Sequence, residues 1–335
     1  MDNETTQLTP ASAIDYLAGL GLANATTAHA DILAGGVSST VIAVDDGNRK
    51  LIVKQALAQL AVKDEWFAPV ERIEEESAAL RVAGKVIPGN VPLVLNYSAD
   101  RNIVVLEHAP DGWEDLRTRL LRGEVDPDDG SRLGAILAAW HSGTAVEPML
   151  ERFADRTAFE ALRIDPFYRV SAERDPEVGP AIEALLQEMD GRQITLVHGD
   201  FSPKNILAGV PGELWVIDFE VTHSGDPAFD VAFMLHHLIA KSIHLSGSSD
   251  ELDEYAQRFY ATYRDRIDPS LAPDTSYVLR HTGAQLLARV IGKSPAPYLT
   301  AEDGERARQL AESTLLDPPA SLQEMLNRRR KVSSK

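Results

Sequence analysis

Asp200 and Asn205 stand five positions apart in His198-Gly199-Asp200-Phe201-Ser202-Pro203-Lys204-Asn205, and a second aspartate follows in Val216-Ile217-Asp218-Phe219-Glu220. Two carboxylates and an amide in this order suit phosphoryl transfer from ATP. One carboxylate orients and deprotonates an attacking hydroxyl. The amide oxygen and the second carboxylate are hard donors for Mg2+, which neutralises the phosphates. Ile194-Thr195-Leu196-Val197 reads as the strand that delivers the first acid. Glu213-Leu214-Trp215-Val216-Ile217 reads as the strand that delivers the second, with Pro211-Gly212 as the turn between them. Both acids are then expected at strand ends facing one cleft. The bland alternative is a buried hairpin with polar ends.

The elements that must position these groups differ along the chain. Residues 11–22 have the pattern of an amphipathic helix. Residues 33–44 run from a small-residue turn into a strand, Asp45-Asp46-Gly47-Asn48 is a hairpin turn, and residues 50–54 form the returning strand. Residues 72–83 read as the long helix of this part, and 91–95 and 103–107 as two more strands. Beyond residues 108–112 the texture turns helical, with clear apolar periodicity over 132–141 and 231–243. Ser248 with Glu251, and Thr300 with Asp303, have the spacing of capping boxes. Only the catalytic hairpin is expected to interrupt the helices. The fold class expected is α+β: a small antiparallel-sheet lobe over residues 1–107, a hinge at 108–112, and a larger, mostly helical lobe over 113–335.

Composition narrows the partners. The chain has 335 residues, 44% of them hydrophobic, enough for a substantial core. It has no cysteine, which excludes disulfides, thiolate nucleophiles and zinc–thiolate sites. The formal net charge of −18 argues against nucleic acid and anionic membranes, and is compatible with a cationic substrate or with simple solubility. An acidic, polar start and no apolar run of membrane-spanning length lead to the expectation of a cytoplasmic protein. The sequons Asn24-Ala25-Thr26 and Asn96-Tyr97-Ser98 then carry no meaning, and the basic run Asn327-Arg328-Arg329-Arg330-Lys331 is expected to be a frayed end.

Other residues could serve the same chemistry. Gly35-Gly36-Val37-Ser38-Ser39 could bring backbone amides and hydroxyls to phosphate oxygens, although a Gly-Gly before a strand is commonly a plain turn. Lys54 emerges from the apolar run Leu51-Ile52-Val53 and needs an anionic partner, unless it snorkels to the surface. The acids of the nearby helix are Glu71, Glu74, Glu75 and Glu76. Asp226 and Asp230 precede or open a helix and read as structural support, and His198 as an organiser of its loop. His236, His237 and His244 lack the carboxylate of a zinc motif. Gly292-Lys293-Ser294 lacks the upstream glycine of a P-loop, since residue 287 is Leu.

The motif pair His-Gly-Asp with Asn five positions on, then Ile-Asp-Phe-Glu, resembles the aminoglycoside phosphotransferase and choline kinase superfamily of small-molecule kinases. The resemblance implies a bilobal protein-kinase-like fold, ATP and Mg2+ as cofactors, and a small-molecule acceptor. It assigns catalysis to Asp200, and metal binding to Asn205 and Asp218 with help from Glu220. Nucleotide contact falls to Gly35, Gly36, Ser38, Ser39, Lys54, Glu76 and, at the hinge, Glu107 and Ala109, and the same resemblance implies that Glu76 braces the lysine. Val53-Lys54-Gln55-Ala56-Leu57, with Trp66 beyond, and Asp218-Phe219-Glu220 are similar to methylthioribose kinases. The pattern departs from those enzymes in having Asn205, and in keeping only Arg289 where they carry an arginine pair that grips the sugar. Arg163, Tyr168 and Arg289 are the acceptor-side candidates. The acceptor is expected among sugars, amino alcohols and aminoglycoside-like molecules.

Two other functions compete. A nucleotide-binding pseudokinase acting through partners would be expected to lack part of the set Lys54, Asp200, Asn205 and Asp218, all of which are present. A protein kinase would need a docking segment, and Glu220 to Gly225 leaves no room for one.

Overall fold

The computed structural model describes residues 7–33, 39–57 and 69–333; Gly35, Gly36 and Ser38 of the glycine turn, and Trp66, lie outside the described residues. The chain divides into two compact units: Met1–Asp111 with Asp218–Val221, and Gly112–Ile217 with Thr222–Lys335. Asp218 and Glu220, expected with the second part, therefore group with the first.

The first unit is built on five strands: β1 His29–Ile32, β2 Ser39–Asp45, β3 Lys50–Ala56, β4 Val94–Ser98 and β5 Ile103–Glu107. Their spatial order is β1-β2-β3-β5-β4, antiparallel throughout. Alternation puts Ile42, Val44, Leu51, Val53, Ile103 and Val105 on one face. There they pack with Leu8, Ala13 and Leu17, the last two from the helix Pro10–Gly19, which Thr9 and Ser12 cap reciprocally. A second helix, Arg72–Val86, buries Ile73, Ala79, Leu80 and Ala83. The β2–β3 turn forms because Asp46 Oδ1 accepts the amides of Asn48 and Arg49, with Gly47 at φ +86°. Two expectations shift. β1 was absent from the sequence reading, because its side chains are mostly exposed and carry no alternation. The strand expected at 91–95 begins at Val94, after Pro92, which has no amide hydrogen to give a ladder.

The second unit is mostly helical. Its longer helices are Pro127–Thr144, Ala228–His244, Ser249–Arg266, Thr275–Ile291 and Ala301–Leu316. Five short strands accompany them: β6 Glu114–Asp115, β7 Thr195–Val197, β8 Ile206–Ala208, β9 Leu214–Val216 and β10 His223–Gly225. The expected hairpin is thus redrawn. β9 pairs with β8, which also pairs with β6, whereas β7 pairs with β10. The loop after β7 is bound by local side chains instead of joining a two-strand hairpin, so the two acids follow strands of different sheets. Thr300 and Asp303 form the expected capping box; Ser248 makes no capping bond and closes a 3₁₀ turn. The basic tail is not frayed. It lies in the helix Leu322–Ser333, where Arg329 and Arg330 both pair with the buried Asp253.

Helix contact here depends on two glycines. A Cβ at Gly130 would lie 2.5 Å from the Tyr255 carbonyl oxygen, and one at Gly134 2.4 Å from that of Phe259. Both obstacles are backbone, so the helices must separate to admit a methyl. Gly134→Ala is expected to destabilise by about 1–3 kcal/mol despite its better helix propensity. Urea unfolding checks this; an unchanged midpoint would mean that the two helices slide freely.

Candidate active site

The loop after β7 is fixed from below. Asp230, fully buried near the start of the Ala228–His244 helix, accepts the His198 amide at 2.7 Å and the Gly199 amide at 2.9 Å. Its Oδ2 also lies 3.2 Å from His141 Nε2, and His141 Nδ1 is 2.9 Å from the Tyr263 hydroxyl. Burial opposes the Asp230 charge, but the His141 and His198 contacts outweigh it and hold the carboxyl below its ordinary range. Gly199 takes φ +79°, a left-handed conformation that glycine adopts without strain. The Asp200 amide donates to His198 Nδ1 at 3.1 Å, and His198 Nε2 lies 3.1 Å from the Ile217 carbonyl. This network suits the Nε2–H tautomer, with Nδ1 already engaged. His198 therefore organises the loop, as the sequence led one to expect.

Asp200 Oδ2 lies 2.7 Å from Arg163 Nη2, and Arg163 Nε donates to the Gly199 carbonyl at 2.7 Å. Asn205 Nδ2 donates to the Asp200 carbonyl at 3.1 Å, which orients the amide and leaves its oxygen out of that bond. In the second unit, then, Arg163, Asp200 and Asn205 come together around one loop.

The first unit holds a separate ion network. Lys54, buried on β3, donates to Glu76 Oε1 at 2.9 Å and pairs with Asp218. Burial works against the ammonium, but Asp218, Glu76 and Glu220 outweigh it and hold its pKa above the ordinary lysine value. Of the four candidate helix acids, Glu76 is the buried one; Glu71 and Glu74 are exposed. Asp218 sits at φ +70°, a conformation that Asp and Asn tolerate better than other side chains. Glu220 Oε2 is 3.1 Å from Arg72 Nε. Arg72 is fully buried, and its other nitrogens donate to the Pro69 and Leu57 carbonyls at 2.6 and 2.7 Å. The sequence reading missed Arg72, whose one signal was a basic residue opening an acidic helix. Its pairing commits one Glu220 oxygen and argues against that residue as a metal ligand.

The remaining candidates divide. Ser39 is buried at the start of β2, and among the described residues its hydroxyl has no hydrogen-bond partner. Glu107 accepts the Leu93 amide through its carboxylate at 3.3 Å and donates its own amide to the Leu93 carbonyl at 2.9 Å, so it closes a sheet edge. The Ala109 carbonyl lies 2.5 Å from His108 Nδ1. Tyr168 needs correction as an acceptor-side residue. It has no exposed surface, its hydroxyl bonds His281 and Gln285 at 2.8 and 2.9 Å, and burial pushes its pKa upward. Proline at 166 and the π-helical turns of Glu160–Arg169 rotate it into the core. Arg289 is half-buried and donates to the Ser294 hydroxyl at 2.8 Å.

A sheet unit carrying a lysine–glutamate–aspartate network, and a helical unit carrying an Asp-Asn loop, define a kinase-like phosphotransferase fold. A family model described as "phosphotransferase enzyme family" (APH) matches residues 29–273, and the chain belongs to that family. It is 26% identical over 244 residues to a methylthioribose kinase of Bacillus cereus (strain ZK / E33L), covering 63% of this chain and 60% of that protein. The chain thus matches about 60% of the length of such curated relatives. Among solved structures, amicoumacin kinase hAmiN, in complex with AMP-PNP, Ca2+ and Ami, aligns with a TM-score of 0.60 at 14% identity, covering 93% of this chain and 96% of that one. Choline kinase LicA from Streptococcus pneumoniae aligns with a TM-score of 0.51 at 14% identity, covering 91% and 98%. These two similarities establish the fold. Among the described residues, no helix is long and apolar enough to cross a membrane.

Proposed function

We propose that the protein is an ATP-dependent kinase that transfers the γ-phosphate to a hydroxyl of a small molecule. The observation that carries this reading is the buried Lys54, kept charged between Glu76 and Asp218. An ammonium held in that way is ready to pair with nucleotide phosphates. The Ser39 hydroxyl, with the hinge at Glu107 and Ala109, completes the nucleotide side among the described residues. Asp200 accepts the acceptor's proton while a new O–P bond forms and the bond between Pγ and the ADP oxygen breaks. Arg163 holds the Asp200 carboxylate in place.

The donor chemistry fits Mg2+: a carboxylate at Asp218 and an amide oxygen at Asn205. Among the described residues, no group of three or more His, Asp or Glu side chains could hold a metal by itself. A bound ion would accordingly complete its shell with phosphate oxygens and water, and would supply charge neutralisation. A cytoplasmic location, where ATP is abundant, is part of this reading. The test is an ATP-consumption screen over sugars, polyols, amino alcohols and aminoglycosides, with ATP affinity measured beside it by calorimetry. Absence of ATP binding would remove the reading.

Methylthioribose itself is expected to be a poor acceptor. Only Arg289 stands where methylthioribose kinases place an arginine pair, and its Nη1 is engaged by Ser294. Losing one charge-assisted partner costs about 1.5–3 kcal/mol, roughly ten- to a hundred-fold in specificity. A kcat/KM for methylthioribose above about 10⁴ M⁻¹s⁻¹ would contradict this.

A further inference from the structure

In a chain of formal net charge −18, one part of the second unit brings the cations Lys241 and Arg289 into one field, with Asp115 and Asp200 as the acids that act on them. Lys241 is fully buried in the Ala228–His244 helix. Among the described residues it donates only to the His237 carbonyl, at 3.5 Å, and its Nζ stands 5.2 Å from the centre of the Tyr298 ring. Arg289 gives one nitrogen to the Ser294 hydroxyl. Its Nε is buried and has no hydrogen-bond partner among the described residues, and the Tyr298 hydroxyl is in the same position.

These groups share one field. Burial pushes Lys241 down to about 7, Arg289 and Arg117 add to the effect, and Asp115 opposes it. Burial also lowers Arg289, Arg163 and Arg117 add to that, and Tyr298 and Asp200 oppose it. Asp200, the proposed base, is thus one of the charges that act on Arg289. A buried cation without a counter-ion is unfavourable, and a cluster that served packing alone would satisfy its polar atoms. Arg289, Tyr298 and His237 each keep part of their surface exposed, although the Arg289 Nε and the Tyr298 hydroxyl are themselves buried.

We propose that Arg289, Tyr298 and Lys241 form an anion-binding subsite of the acceptor, which thus carries a carboxylate or phosphate group besides the hydroxyl offered to Asp200. The assignment of this anion to the acceptor rests on the kinase reading above. It runs against the cationic substrate with which the net charge alone is compatible. An incoming anion supplies the missing counter-charge, returns Lys241 to its protonated form, and accepts hydrogen bonds from Arg289 and the Tyr298 hydroxyl.

The test uses the full chain and two probes, malonate and inorganic phosphate, against chloride at equal ionic strength. At least one probe is expected to raise the melting temperature of the wild type. The rise is expected to persist in Lys54→Met, which lacks the nucleotide-side cation, and to vanish in Lys241→Met and Arg289→Met. Whichever probe acts tells carboxylate from phosphate. No rise in the wild type, a rise lost in Lys54→Met, or a rise kept in both of the other variants overturns the proposal. Lys241→Met removes a buried cation, so the variant is expected to fold at least as stably as the wild type without anion. In the ATP-consumption assay, gluconate or ribose 5-phosphate is expected to exceed glucose or ribose, with KM raised at least ten-fold in Arg289→Met. Turnover confined to neutral or cationic acceptors also overturns it. Failure of ATP to bind would instead defeat the kinase reading, because the anion effect on melting needs no nucleotide.

Discussion

Asp200→Ala is expected to lower acceptor-dependent turnover by at least 10²- to 10⁴-fold, while ATP affinity stays within a few-fold. General-base assistance alone accounts for that range, and lost positioning adds to it. The loop itself should persist. Its anchors are the two amides held by Asp230 and the His198 contacts, and neither uses the Asp200 carboxylate. Arg163 likewise keeps its bonds to the Gly199 and Leu162 carbonyls. A fall in kcat without a change in nucleotide binding is thus the signature, read by steady-state kinetics and calorimetry together. Near-normal turnover in the variant would remove Asp200 from the mechanism.

Asp218→Asn is expected to weaken Mg2+-dependent ATP binding and turnover together. The substitution is nearly isosteric, and Asn tolerates the left-handed φ of +70° at this position, so the backbone need not move. What changes is charge. A hard anionic donor becomes a neutral one, and Lys54 keeps Glu76 but loses one of the carboxylates that offset its burial. Calorimetry with and without Mg2+ separates the effects. If the Mg2+ dependence of binding were unchanged, the metal role would move to another residue. Glu220 would then be tested next, although Arg72 already holds one of its oxygens.

The sequence made the fold class and the main groups of the site legible, because both rest on local pattern. Near-alternation over β2, apolar runs over β3 and β5, and periodicity over the long helices mark these elements directly. The pairing of Lys54 with Glu76 was legible because a lysine leaving an apolar strand needs an anionic partner and the kinase resemblance calls for a bracing helix acid. What escaped depends on distant partners. Arg72 looks like a helix-surface residue until Glu220 is placed beside it, 148 positions away in sequence. Tyr168 looked available because it lies shortly before the catalytic loop, yet His281 and Gln285 claim its hydroxyl from another helix. The β7–β10 pairing joins strands with no turn signal between them, so nothing local could have announced it. Arg329 seemed part of a loose tail until Asp253 supplied its counter-charge.

The four residues Asp218–Val221 belong to the first unit although the chain on both sides of them belongs to the second. Gene dissection meets this interleaving directly. A fragment ending at Asp111 would inherit Lys54 and Arg72 without Asp218 and Glu220. It would carry two buried cations, one with half its counter-charge and the other with carbonyls alone. The complementary fragment would carry those two acids with nothing to neutralise them. No single cut in the coding sequence yields two self-sufficient halves. Chimeras that exchange the sheet unit between relatives should therefore carry this tetrapeptide across as a second, separate graft.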